Sequence, residues 1–174
     1  PPNLSILATM NTSDQNVFTL DNAFQRRWNM EYIPNKVDTS DTDTFKGAVK
    51  NQYESTIGET GVKWGVFRKV VNEVIANPEN SFSNAEDKQL GLFFIQVDGD
   101  IEKSAGRIKA EEFSNKVLKY LWNDIFKRDK SPLFKVDGDD GIKTFGDLLE
   151  KFKGENAFEK CFNDDIVSKL KESQ

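Results

Sequence analysis

The chain has 174 residues, with 29 acidic and 24 basic side chains, no histidine and one cysteine, for a formal net charge of −5. That length holds one domain, or one domain and a fragment, and excludes two independent enzymes. The negative balance opposes non-specific binding to DNA or to an anionic membrane, and the missing histidine excludes imidazole triads, His-ligated zinc and His acid/base catalysis. Cys161 alone allows no intrachain disulfide and no thiolate cage, as a reducing compartment favours. No apolar run reaches bilayer length and no signal segment opens the chain, so the expectation is a soluble, cytoplasmic protein without a membrane partner. The opening Pro1-Pro2 without an initiator methionine suggests a piece of a longer protein.

In chain order, Leu4 to Met10 is an apolar run before Asn-Thr-Ser-Asp, the pattern of a buried parallel strand ending in a polar loop. Thr19 offers an N-cap to a short helix over Leu20 to Arg27, with Leu20, Ala23 and Phe24 on one face. Trp28 to Ile33 alternates apolar and polar residues as a second strand, ended by Pro34. From Asn35 to about Thr44 the composition turns to Asp, Thr and Ser, which marks a linker or boundary.

Beyond it, Phe45, Val49 and Tyr53 form a modest helical stripe. Phe67, Val70, Val71, Val74 and Ile75 form a stronger one, stopped at Asn77-Pro78, and both read as helices with one buried face. Gln89 to Val97 reads as a strand or an extended buried loop. Ala110 to Phe126 is the longest helix candidate, striped by Phe113, Val117, Tyr120, Leu121 and Ile125. Thr144 with Asp147 resembles a capping box for Phe145, Leu148, Leu149 and Phe152, and a last amphipathic stretch carries Phe158, Cys161, Phe162, Ile166, Val167 and Leu170. The fold class expected is an α/β stub followed by a mainly α domain.

Chemistry concentrates near the start. Ala8-Thr9-Met10-Asn11-Thr12-Ser13-Asp14 places an amide at a strand end, and Leu20-Asp21-Asn22-Ala23-Phe24-Gln25-Arg26-Arg27-Trp28 places two guanidiniums at a helix end, suited to bidentate contact with phosphate oxygens. The chain has only five arginines against nineteen lysines, so the adjacent pair calls for an explanation.

These segments closely resemble the sensor-1 and arginine-finger region of AAA+ NTPases, specifically the McrB-like branch that drives modification-dependent restriction systems. There the pattern runs Met-Asn-Thr-x-Asp, then Leu-Asp-x-Ala-hydrophobic-Arg-Arg-Phe, with Trp28 standing here for the phenylalanine. Lys88 to Ile95 and Lys116 to Asp124 also look like lid segments of that branch, so the likeness touches both ends of residues 1 to about 152.

The resemblance implies that residues 1–37 are the end of an AAA+ core and 38–174 a helical lid domain. It implies Asn11 as sensor 1, orienting the attacking water near the terminal phosphate, and Arg26 and Arg27 as fingers acting in trans on a neighbouring subunit's nucleotide. Asn11 with Asp14 also resembles the Asn-x-x-Asp guanine-reading signature of small GTPases, although Asp14 reads equally as a loop cap. No phosphate loop or magnesium-binding acidic strand is present in the sequence, so GTP or ATP with Mg²⁺ belongs to the full-length protein and this piece alone is expected to hold and hydrolyse neither. The implied partners are the other subunits of a homo-oligomeric ring and a nuclease subunit, with DNA contacted elsewhere in the assembly. With its sheet neighbour missing, the stub at 1–34 is expected to be displaced, paired elsewhere or mobile, while 45–172 fold on their own core.

Plainer readings stand beside these. The arginines can be a surface pair at a helix end, and Asn11 a turn residue. Asp98-Gly99-Asp100 and Asp137 to Gly141 read as turns, lacking the glycine and glutamate positions of an EF-hand. Cys161, Tyr120 and Trp122 read as core, and Lys103, Arg107 and Lys109 as a solvated face, with a sensor-2 role for Arg107 as the sharper alternative. A free-standing helical interaction module without nucleotide chemistry is the competing reading of the whole chain.

Overall fold

The computed structural model describes residues 3–9, 22–80, 82, 84–154 and 156–173. The chain divides into two compact units, Pro1–Pro34 and Asn35–Gln174.

Within the first unit the described regular element is a short helix, α1 (Asn22–Gln25), continued by a turn at Arg26 and Arg27. The strands expected over Leu4 to Met10 and Trp28 to Ile33 are not formed in 4–9 or 28–33. Apolar alternation alone cannot make a strand, because its backbone groups need a neighbouring ladder. Leu4, Ile6, Leu7, Met30, Tyr32 and Ile33 are consequently exposed, Leu7 by 99%.

In the second unit the helices are α2 (Gly47–Glu54), α3 (Trp64–Ala76), α4 (110–125), α5 (Phe145–Lys151), α6 (Ala157–Cys161) and α7 (Asp164–Glu172). Two-residue strands β1 (Thr56–Ile57) and β2 (Arg107–Ile108) pair in parallel, Thr56 opposite Arg107 and Ile57 opposite Ile108. Single antiparallel bridges extend this ribbon from Thr56 to Lys63 and from Arg107 to Asp98. Gln89 to Val97 is neither the strand nor the extended segment expected: it is a loop with a turn in which Phe94 N–H donates to Gly91 C=O at 3.2 Å, and Leu90, Leu92 and Ile95 are its buried residues.

α3 is the central element. Ten of its thirteen residues are buried, so it has far more than the single apolar face its stripe predicts. It packs against α2 and α7, and Phe67 meets the rings of Trp64, Phe113, Phe158 and Phe162 at centroid distances of 5.1 to 6.1 Å. Such edge-on, tilted and stacked contacts add to the burial of each ring. Gly65 allows one of these packings: a Cβ there would sit 2.0 Å from the Tyr53 ring of α2.

α4 begins as α-helix at Ala110–Phe113 and widens into π-turns at Ser114–Leu118 and Leu121–Ile125. Phe126 N–H accordingly donates to Leu121 C=O, five residues back, at 2.8 Å. Phe113, Val117, Leu118, Leu121, Trp122, Ile125 and Phe126, along α4 and its C-terminal end, are all buried in the core, whereas Tyr120 is only half-buried. The capping box at α5 is present: Asp147 N–H donates to Thr144 Oγ1 at 3.1 Å, and Thr144 N–H donates to the Asp147 carboxylate at 2.8 Å.

Candidate functional site

Arg26 and Arg27 follow α1 in a turn in which Arg27 N–H donates to Phe24 C=O and Trp28 N–H to Gln25 C=O, both at 3.1 Å. The Phe24 and Trp28 rings lie 5.7 Å apart and bracket the two arginines in sequence. Both arginine side chains are exposed, and among the described residues no carboxylate forms an ion pair with either. Two neighbouring guanidiniums in that state can meet the oxygens of a phosphate bidentately without breaking an existing pair. Asn11 and Asp14, the other residues of the expected constellation, lie outside the described residues.

The second basic group is spent locally. Arg107 pairs with Glu59 at 3.6 Å, Lys103 with Asp100 at 3.0 Å and Lys109 with Asp98 at 3.4 Å, all with well-exposed side chains. These are solvated surface pairs of small energetic weight. Among the described residues no group of three or more Asp, Glu or Cys side chains is arranged to hold a metal ion. Asp98 bridges to Arg107 with a bend at Gly99, and Asp137 to Gly141 contains a bend at Gly138 and a turn at Asp139 and Asp140. Cys161 is fully buried, its Sγ 3.8 Å from Leu148 C=O, and burial pushes its thiol up to about 12. That side chain is a small core hydrophobe. Trp122 is likewise core, with its ring 5.1 Å from Phe134 and Lys130 above it at 4.8 Å.

A polar clamp holds the loop after residue 89, and sequence reasoning missed it. Leu90 C=O accepts from Asn35 Nδ2 at 3.0 Å, Arg68 at 3.1 Å and Asn72 Nδ2 at 2.9 Å, while Leu90 N–H donates to Asn72 Oδ1 at 2.7 Å. Leu92 C=O accepts from Trp64 Nε1 at 2.6 Å, and Ile95 C=O from Gln52 Nε2 at 2.9 Å. Irregular backbone can be buried only when such groups satisfy it. The trace it leaves in the sequence is two polar residues, Arg68 and Asn72, four apart inside an apolar helix, which does not name the segment they serve. Arg68 is 4% exposed, donates also to Asn35 Oδ1 at 2.9 Å, and leaves Nε without a hydrogen-bond partner. Burial draws its guanidinium below the usual arginine value.

Comparison with known proteins gives one direction. Over 159 residues, 91% of this chain, it is 32% identical to the type II restriction enzyme BsuMI component YdiS of Bacillus subtilis (strain 168). The likeness is to a restriction-system component. The chain spans about two fifths of that protein's length, 40%. No protein-family profile matches the chain, and no solved structure matches it. Among the described residues no helix is long and apolar enough to cross a membrane.

Proposed function

We propose that this chain is part of a subunit of a multi-component DNA restriction system. The observation that carries the reading is the 32% identity, extending over 91% of the chain, to a protein whose name describes it as a restriction enzyme component. Within that system we assign it the C-terminal part of a McrB-like AAA+ motor hydrolysing GTP or ATP in a ring of like subunits that works with a nuclease subunit. The Asn11 and Arg26-Arg27 motifs support this finer assignment, as do exposed guanidiniums that no described carboxylate neutralises. The exposed apolar residues of 4–9 and 28–33 also suit segments that complete a sheet with other parts of the protein.

On this reading Arg26 and Arg27 meet negative charge that develops on the phosphoryl oxygens of a neighbour's nucleotide, while Asn11 orients water and Asp14 lines the base or caps the loop. The sequence carries no phosphate loop and no magnesium-binding acidic strand, so on this reading the nucleotide and Mg²⁺ are held by other parts of the assembly. An arginine finger stabilises the transition state more than the bound ground state, so its loss is worth ~10³–10⁵ in turnover. In the intact protein, Arg26→Ala combined with Arg27→Ala is expected to lower nucleotide turnover by at least about 10³ with nucleotide binding retained. The doubly substituted subunit should regain turnover at its own nucleotide when mixed with subunits that supply the arginines. Unchanged turnover in both assays overturns the assignment.

A second reading is favoured by one observation. Asn35–Gln174 forms a compact unit with its own continuous core, as an interaction module without nucleotide chemistry would. Full activity of an intact protein carrying both arginine substitutions would select it.

A further inference from the structure

Pro34 closes the first unit and Asn35 opens the second, so Asn35 is the first residue that the second unit can hold. Its side chain is held at both ends of the amide: Nδ2 donates to Leu90 C=O at 3.0 Å, and Oδ1 accepts from Arg68 Nη1 at 2.9 Å. The segment behind it is tied mainly to itself. Asp38 accepts from Ser40, and Asp41 accepts from the backbone of Asp43 and the hydroxyl of Thr44. Among the described residues, the hydrogen bonds that join 35–44 to the unit beyond residue 46 are all made by Asn35, and Val37 adds one partly buried apolar contact.

The amide and the groups that hold it differ in their surroundings. Arg68 and Leu90 are buried, whereas Asn35 is exposed, so water can take its place. A carbonyl oxygen has two lone pairs, yet Leu90 C=O is approached by three donors, from Asn35, Arg68 and Asn72. When Asn35 leaves, Arg68 and Asn72 still satisfy that carbonyl, and Arg68 Nη1 keeps its bond to Leu90. Undocking therefore strands no buried backbone group, and the rest of the clamp stays formed. The bond from the guanidinium is charge-assisted, which favours the docked form as the resting one.

We propose that Asn35 is a releasable latch that sets the free length of the connection between the two units. Docked on Arg68 and Leu90, it fixes the chain at the first residue of the second unit. Released, it leaves residues 35–44 as a tether of about ten residues, with a reach on the order of 30 Å when extended. The next aromatic hold is Phe45, whose ring lies 5.3 Å from that of Tyr53 on α2. The latch uses neither Asn11 nor Arg26 nor Arg27, so it stands or falls separately from the motor assignment.

Trypsin cleavage after Lys36 in the 174-residue chain reads the released population, because Lys36 adjoins the latch and a native chain is cut through its locally open form. Asn35→Ala is expected to raise that rate at least about tenfold, the weight of a hydrogen bond to a charged group. Arg68→Met should act in the same direction, and the double variant should be cut no faster than Asn35→Ala alone, since both changes break one contact. The urea midpoint of Asn35→Ala should stay at the wild-type value. Spin labels at Thr39→Cys and Lys69→Cys, both exposed positions, give a second readout, with Cys161 buried and unlabelled. Their distance distribution is expected to be narrow with Asn35 in place and to broaden at least about twofold in Asn35→Ala, as a flexible segment predicts. Unchanged cleavage after Lys36, an unchanged distribution, or one already as broad with Asn35 present each overturns the proposal. So does a fall in urea midpoint large enough to account for the cleavage by global unfolding.

Discussion

Asn72 and Arg68 sit one helical turn apart on α3 and both reach Leu90, yet their energetic roles are opposite. Asn72 exchanges two hydrogen bonds with the Leu90 backbone at 2.7 and 2.9 Å, and it is the partner found for Leu90 N–H. Asn72→Leu strands a buried donor and is expected to destabilise the chain by about 2–3 kcal/mol in urea denaturation. Arg68 is a buried cation with no described carboxylate beside it, and Leu90 C=O keeps two other donors when it is removed. A buried charge costs much of what its contacts return, so Arg68→Met is expected to change stability by less than about 1 kcal/mol. Equal losses for the two variants would show that the arginine carries the clamp. These residues were missed in the sequence because periodicity scores apolar positions and is silent on a polar side chain that faces inward to serve another segment's backbone.

At the scale of elements, local chemistry was largely legible. The stripe Phe67, Val70, Val71, Val74, Ile75 became α3, and Thr144 with Asp147 became a capping box. Asp147 accepts from the backbone of Thr144 and of Lys143, and these bonds, the Thr144 one first, hold its carboxyl below the usual carboxylate range. Its folded value is lowered, so its contribution to stability is present above the unfolded value of 3.8 and fades as the pH falls below it. Thr144→Ala removes the reciprocal bond and is expected to cost about 1 kcal/mol at neutral pH, with a smaller difference between variant and wild type near pH 2. A difference that is unchanged at pH 2 would remove the box from the account. The π-turns of α4 were not legible, because an insertion of one residue in a helical turn goes with distant packing, here of Trp122 and Phe126 on Phe134 and Phe82, and not with the 3.6-residue pattern.

For the whole molecule, the second unit has the features of an independent folding unit: a continuous core from Ile57 to Leu170, a central helix buried on most sides, and short ribbon strands that tie residues 56 and 57 to 107 and 108. Residues 35–173 expressed alone are expected to unfold cooperatively, with a Tm within about 5 °C of the whole chain, because the buried core from Ile57 to Leu170 lies within this unit. A broad, non-cooperative transition would show that the first unit completes it. The stub itself is the place where local reading went furthest astray. Leu4 to Met10 and Trp28 to Ile33 carry strand-like patterns, but a pattern states which face a strand would bury and cannot supply the neighbour that its backbone needs.

The sequence by itself determined the α3 stripe, the α5 cap and the placement of Arg26 and Arg27 beside a helix end, since each rests on contacts between residues a few positions apart. Tertiary structure alone decided that Gln52, Arg68 and Asn72 would hold the Leu90–Ile95 backbone, that Gly65 would leave room for the Tyr53 ring, and that Thr56–Ile57 would pair with Arg107–Ile108. Those outcomes join positions 12 to 51 residues apart. Their partners are chosen by how the aromatic core closes, which no local window of the chain contains.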